Sequence, residues 1–184
     1  MTSAPSDEPP EHARYAEYLQ ALRQVAPADE GRLVRAVLTD PDRTMARSAV
    51  LHHLDHRAAA LHRTPAYEPW SRSMLQATTD DPFLTTRLHE WTLLRAIALS
   101  HPWAPTALAD ASNWLHLKLT ETPDIPTPAL AFLAEHGRTR RIRNAAARRV
   151  RPAPDEDPAP AERPRAGRVS RDAPCNTPVT GCAT

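Results

Sequence analysis

Apolar residues recur along the middle of this 184-residue chain at helical spacings. Between residues 42 and 62, Val50, Leu51, Leu54, Ala58 and Leu61 fall on one helical face, as a buried stripe requires. Between 82 and 100, Leu84, Leu88, Trp91 and Ala98 form a second stripe flanked by Phe83 and Leu94. Leu93 and Ile97 carry apolar character nearly all round this second segment, which is therefore expected to be the central, fully buried helix. No alternating apolar and polar run of strand length occurs. The pattern specifies an all-α fold.

Prolines divide the helices. Because proline tends to end a helix or occupy its first turn, the intervals without it bound the possible elements. Those intervals are 11–26, 28–40, 42–64, 70–81, 83–101, 106–122 and 129–151, the last divided by Gly137 as a C′ residue after His136. About eight helices follow, all rich in Ala, Leu and Arg. Start signals agree: Asp40-Pro41 and Asp81-Pro82 each offer an Asp N-cap with Pro at N1, and Thr127-Pro128 does so with Thr. Residues 1–10 and 152–184 differ in kind. The second of these holds seven of the 20 prolines and only Val169 and Val179 as large aliphatics. Both are expected to be disordered, leaving 11–151 as the folded domain.

Composition narrows the functions. Four glycines leave no GxGxxG and no GxxxxGK[ST], the common phosphate-cradling loops. Lys118 is the only lysine, so 22 of the 23 basic residues are arginines, as a GC-rich, bacterial coding sequence would give. With 22 acids the net charge is +1, and the whole chain has no strong electrostatic preference for a partner. No window approaches the roughly 18 apolar residues of a membrane-spanning helix, so no membrane association is expected. The start of the chain lacks the basic and apolar regions of a signal peptide, and both cysteines, Cys175 and Cys182, lie near the end; a cytoplasmic location is the expectation.

A weak period follows from the turns. Asp40-Pro41 and Asp81-Pro82 lie 41 residues apart, each between a shorter and a longer helix. The segment Leu33-Val-Arg-Ala-Val-Leu-Thr-Asp-Pro-Asp-Arg-Thr-Met-Ala-Arg-Ser-Ala-Val-Leu51 resembles a HEAT-type (armadillo/HEAT) repeat unit, with an apolar first helix, an Asp/Pro turn, then Arg and small residues early in the second helix. Residues 129–150 are similar in a degenerate form, with Arg143 matching Arg47, and 70–99 more loosely. The resemblance covers about 30–150 and implies a short α-solenoid of stacked helical hairpins that binds another macromolecule. One departure stands out: 104–122 reads as a single helix where the period calls for two. An irregular bundle of the same helices is the alternative.

Candidate sites are few. Arg138, Arg140, Arg141, Arg143, Arg148, Arg149 and Arg151 fall within 14 residues that contain no acid. Such a cluster suits an acidic protein partner or nucleic-acid phosphates, although arginine also suits the negative end of a helix. No aromatic residues are interleaved for base stacking, and Arg149 falls near the apolar face, where its stem can pack. Trp103, between Pro102 and Pro105, is either an interaction anchor or a staple between helix ends. His52 and His56, four residues apart with Asp55 between and His89 elsewhere, offer two ligands on one helix face for a metalloprotein or enzyme site. No HExxH, CxxC, GxSxG or SxxK completes one. The residues therefore read as a non-catalytic scaffold with no cofactor, binding a protein through Arg138, Arg140, Arg141, Arg143, Arg148 and Trp103. Nucleic-acid binding through 138–151 and a helix-lined site at His52/His56 are the alternatives.

Overall fold

A computed structural model describes residues 10–150. The tails expected to be disordered, Arg151, Cys175 and Cys182 lie outside the described residues, apart from Pro10 at the start of the first helix. Among the described residues there are nine helices and no strand, so the chain is all-α. They are α1 (Pro10–Gln24), α2 (Glu30–Val37), α3 (Arg43–Leu61), α4 (Tyr67–Ala77), α5 (Pro82–Ala98), α6 (Pro105–Asp110), α7 (Asn113–Glu121), α8 (Thr127–His136) and α9 (Arg140–Val150).

The proline intervals mark most boundaries, and the exceptions are instructive. Residues 104–122 form two helices, α6 and α7, in place of the single one expected. The break needs no proline: Ala111 and Ser112 are extended (ψ 156° and 163°), and the Glu90 carboxylate accepts the Ser112 backbone N–H at 2.7 Å. Asp81 caps α5 as expected, accepting the N–H groups of Phe83 and Leu84, both at 3.1 Å. Asp40 does not cap α3. It is buried, accepts the Tyr18 hydroxyl and the Asp42 N–H, both at 2.8 Å, and leaves Asp42 to cap by accepting the Met45 N–H at 3.0 Å. Thr127 lies inside α8 rather than capping it, because Pro126 holds the N-cap position.

Gly137 ends α8, but not by a left-handed turn; its φ is −56°. Its small size is what matters. A Cβ there would come within 2.5 Å of the Leu133 carbonyl oxygen and 2.7 Å of Ile142 Cγ2. The left-handed positions are Ser100 (φ 57°), just past α5, and Asp124 (φ 55°), past α7.

Apart from α6, each helix packs on its neighbour in sequence and, along the odd-numbered series, on the helix two further on: α1 on α3, α3 on α5, α5 on α7, α7 on α9. Helix α2 packs on α4 in the same way. Polar ties fix the direction of α3 and α5. Near their starts Arg47 Nε lies 2.7 Å from Asp81 Oδ2; at their ends an Arg95 Nη donates to the carbonyls of His62 and Thr64, at 2.5 and 3.0 Å. The two helices are therefore parallel. The core between the rows is continuous, with Val34, Val50, Leu54, Leu84, Leu88, Leu94, Leu115, Leu119 and Leu133 all removed from solvent. The helix α5 is central, touching α3, α4 and α7, but it is not wholly buried. Phe83 is 48% exposed, and Thr86, His89 and Thr92 also face solvent.

Candidate interaction surface

Glu30 opens α2 with only 2% of its surface exposed. Its Oε1 accepts the Trp70 indole N–H at 2.7 Å and meets His53 Nε2 at 2.7 Å, while Arg57 Nε lies 3.3 Å away. A carboxylate can only accept, so His53 donates through Nε2. Burial pushes the Glu30 carboxyl up, but hydrogen bonds from His53 and Trp70 and the nearby His53 and Arg57 charges outweigh it and bring the pKa below the usual value. A buried anion so fully met holds three helices together; it does not offer a free base.

The next row repeats the device. The Trp91 indole N–H donates to Asp55 Oδ1 at 2.7 Å, and an Arg87 Nη donates to Oδ2 at 3.1 Å. The Arg87 guanidinium also lies 3.8 Å from Glu90 and sits 3.6 Å over the Trp114 ring. Here burial is the largest effect on Asp55 and raises its pKa despite the bond from Trp91 and the charge of Arg87. Burial lowers the pKa of Arg87, partly offset by Asp55 and Glu90. His116, 0% exposed, donates through Nε2 to the Leu108 carbonyl at 2.7 Å, tying α7 to α6.

The arginine cluster divides into two sets. Arg138 donates to the Asp110 carbonyl at 3.1 Å, at the end of α6, and Arg143 to the Gly137 carbonyl at 2.7 Å. Arg149 donates to three carbonyls at the end of α7: Leu119 at 3.0 Å, Thr120 at 3.1 Å and Thr122 at 2.6 Å. Its place beside the apolar face thus serves a cap, the same one Arg95 makes at the end of α3. Arg140, Arg141 and Arg148 are exposed, with no described carboxylate within 4.0 Å. The cluster expected to bind a partner is therefore part clamp and part open surface.

Trp103 is half-buried against the core, edge-on to Phe132 with ring centres 6.3 Å apart. His52 and His56 are exposed and hydrogen-bond to no other described residue; the buried histidine of α3 is His53 between them. His89 lies on α5 in a groove of about 410 Å³ with Glu90, Asp110 and Arg138. Among the described residues no group of three or more His, Cys, Asp or Glu side chains is placed to hold a metal ion.

The Glu30 and Asp55 clusters escaped sequence reasoning, although a signal was present. Glu30, Val34 and Val37 share one helical face, as do Leu84, Arg87, Leu88 and Trp91. A charge embedded in an apolar stripe implies a buried partner.

Two further concavities lie at helix ends. One of about 540 Å³ joins the turns after α2 and α4, with Arg35, Arg43 and the Arg47–Asp81 pair on its walls. The other, of about 300 Å³, lies between α7 and α9 and carries Arg141 and Arg148. No protein-family model, curated protein or solved structure matches this chain.

Proposed function

We propose that this protein is a non-catalytic binding scaffold, a short HEAT-like stack of helical hairpins that engages a protein partner. The observation that carries the reading is the parallel pair α3 and α5, tied at one end by Arg47 and Asp81 and at the other by Arg95 on the His62 and Thr64 carbonyls. Stacked hairpins built this way bury one face and present the other as a rigid surface. The division of 104–122 into α6 and α7 supplies the helix pair that the repeat period calls for. The conspicuous ionic groups, buried Glu30 and half-buried Asp55, are matched by donors from neighbouring helices, which suits a structural role. The test is affinity capture with the full chain, followed by hydrogen exchange on the purified complex. Protection confined to the outward residues of α3, α5, α7 and α9 supports the reading. Failure to retain any partner at physiological salt, or a turnover activity abolished by His52→Ala, overturns it.

A further inference from the structure

We propose that the groove between α7 and α9 docks an acidic peptide segment of the partner protein, an inference that rests on the scaffold reading above. Arg141, Ala145 and Arg148 stand at i, i+4 and i+7 and so share one face of α9, and all three line the groove. The small Ala145 leaves depth between the two guanidinium groups. Across from it Leu117 of α7, half-buried, gives an apolar wall beside Thr120. The cavity of about 300 Å³ has room for a few side chains, not for a folded element.

Charge decides what fits. Neither Arg141 nor Arg148 has a described carboxylate within 4.0 Å, so both keep their full capacity for bidentate pairing. Glu121 is the one carboxylate on the walls, set against Arg141, Arg148 and Arg149. Arg149 acts differently: its guanidinium covers the Leu119, Thr120 and Thr122 carbonyls, the negative pole of α7 that would otherwise repel an anion. An apolar wall between two uncompensated arginines matches a peptide in which carboxylates flank an aliphatic residue. A nucleic acid fits less well, because no aromatic residue of the groove can stack on a base.

The experiment titrates the full chain into a fluorescein-labelled peptide of alternating Glu and Leu and reads anisotropy. A Lys/Leu peptide and a generic DNA duplex serve as the other arms. Saturable binding of the acidic peptide that weakens with salt is expected. The double reversal Arg141→Glu/Arg148→Glu should weaken it by at least about tenfold, whereas Arg72→Glu, at an exposed position of α4 away from the groove, should leave it within about twofold. Both arginines are exposed, so the far-ultraviolet circular dichroism and Tm of the double variant should match the parent. Absent binding of the acidic peptide at low salt, equal binding of the Lys/Leu peptide, an equal loss in Arg72→Glu, or tighter binding of duplex DNA would each overturn the proposal. The two readings fail separately. A partner captured equally by parent and double variant removes the groove and leaves the scaffold, while no captured partner removes the scaffold even where the peptide binds.

Discussion

The Glu30 carboxylate and the Trp70 indole meet at 2.7 Å inside the fold, joining the first residue of α2 to the first turn of α4. Truncating one side of such a pair leaves the other buried and unmatched. Glu30→Ala strands the Trp70 N–H and His53 and is expected to cost about 3 kcal/mol in urea unfolding. Glu30→Gln keeps an acceptor for Trp70 and should cost roughly half as much. A loss below about 1 kcal/mol for the alanine variant would mean that the cluster does not hold the helices.

Acid should affect the Glu30 and Asp55 carboxylates in opposite senses. For Glu30 burial raises the pKa, but the bonds from His53 and Trp70 and the charges of His53 and Arg57 lower it further, so its net pKa lies below the unfolded value of about 4.3. Its contribution is present above that value and is lost as pH falls through the folded pKa. For Asp55 burial dominates and raises the pKa, so its contribution is fully present below about 3.9 and is lost as pH rises through the folded pKa. Relative to the parent, Glu30→Gln should therefore soften the loss of stability on acidification, and Asp55→Asn should steepen it. Slopes of the same sign in both variants would contradict the assignment.

Arg149 closes the end of α7 with three hydrogen bonds to carbonyls. Arg149→Ala is expected to lower stability by about 1–2 kcal/mol and to speed amide exchange at the C-terminal end of α7. Arg149→Lys should recover less than half of the loss, since an ammonium cannot reproduce the planar fork. Unchanged exchange at residues 119–122 would remove the capping role.

At Gly137 the added methyl of alanine would sit 2.5 Å from the Leu133 carbonyl oxygen, in a place where the backbone cannot yield cheaply. Gly137→Ala is predicted to destabilise by about 1–3 kcal/mol, despite the better helix propensity of alanine. A neutral or stabilising result in thermal denaturation would show that α8 and α9 can separate without cost.

Ser100 makes the reverse prediction. It holds φ 57° while its neighbour His101 donates its N–H to the Ala96 carbonyl at 2.8 Å, a left-handed helix ending that glycine adopts without strain. Ser100→Gly should raise stability by about 0.5–1 kcal/mol, the relief of strain exceeding the added freedom of the unfolded chain. A lowered Tm would refute it.

Local chemistry made the helices legible and left the polar clusters hidden. Asp81-Pro82 carries its whole signal within two residues, and the cap forms there. Asp40-Pro41 carries the same signal, yet Tyr18 from α1 claims the Asp40 carboxylate and the cap moves to Asp42. The break between α6 and α7 depends on Glu90, 22 residues upstream of Ser112, which no local rule contains. The arginines of 138–149 announced their charge in the sequence, but the capping set and the open set separate only once α7 lies beside α9. His52 and His56 had the better-known spacing, while the histidine that matters to packing is the neighbour whose ring meets Glu30.

The side-chain bonds that tie one helix to the next in its row reach similar distances along the chain: 40 residues from Trp70 to Glu30, 36 from Trp91 to Asp55, 34 from Arg47 to Asp81, 33 from Arg95 to His62 and 30 from Arg149 to Leu119. The longest among the described residues, Arg63 to Pro123, spans 60. Closure entropy grows only slowly with loop length, so each tie costs the unfolded chain nearly the same entropy to make, and none must wait for the two ends to find each other. In the proposed stack of hairpins, folding can start at any adjacent pair and spread outward at the speed of locally connected chains. Unfolding retraces that route, so the outermost helices melt before α5, and damage at one end should leave the other standing.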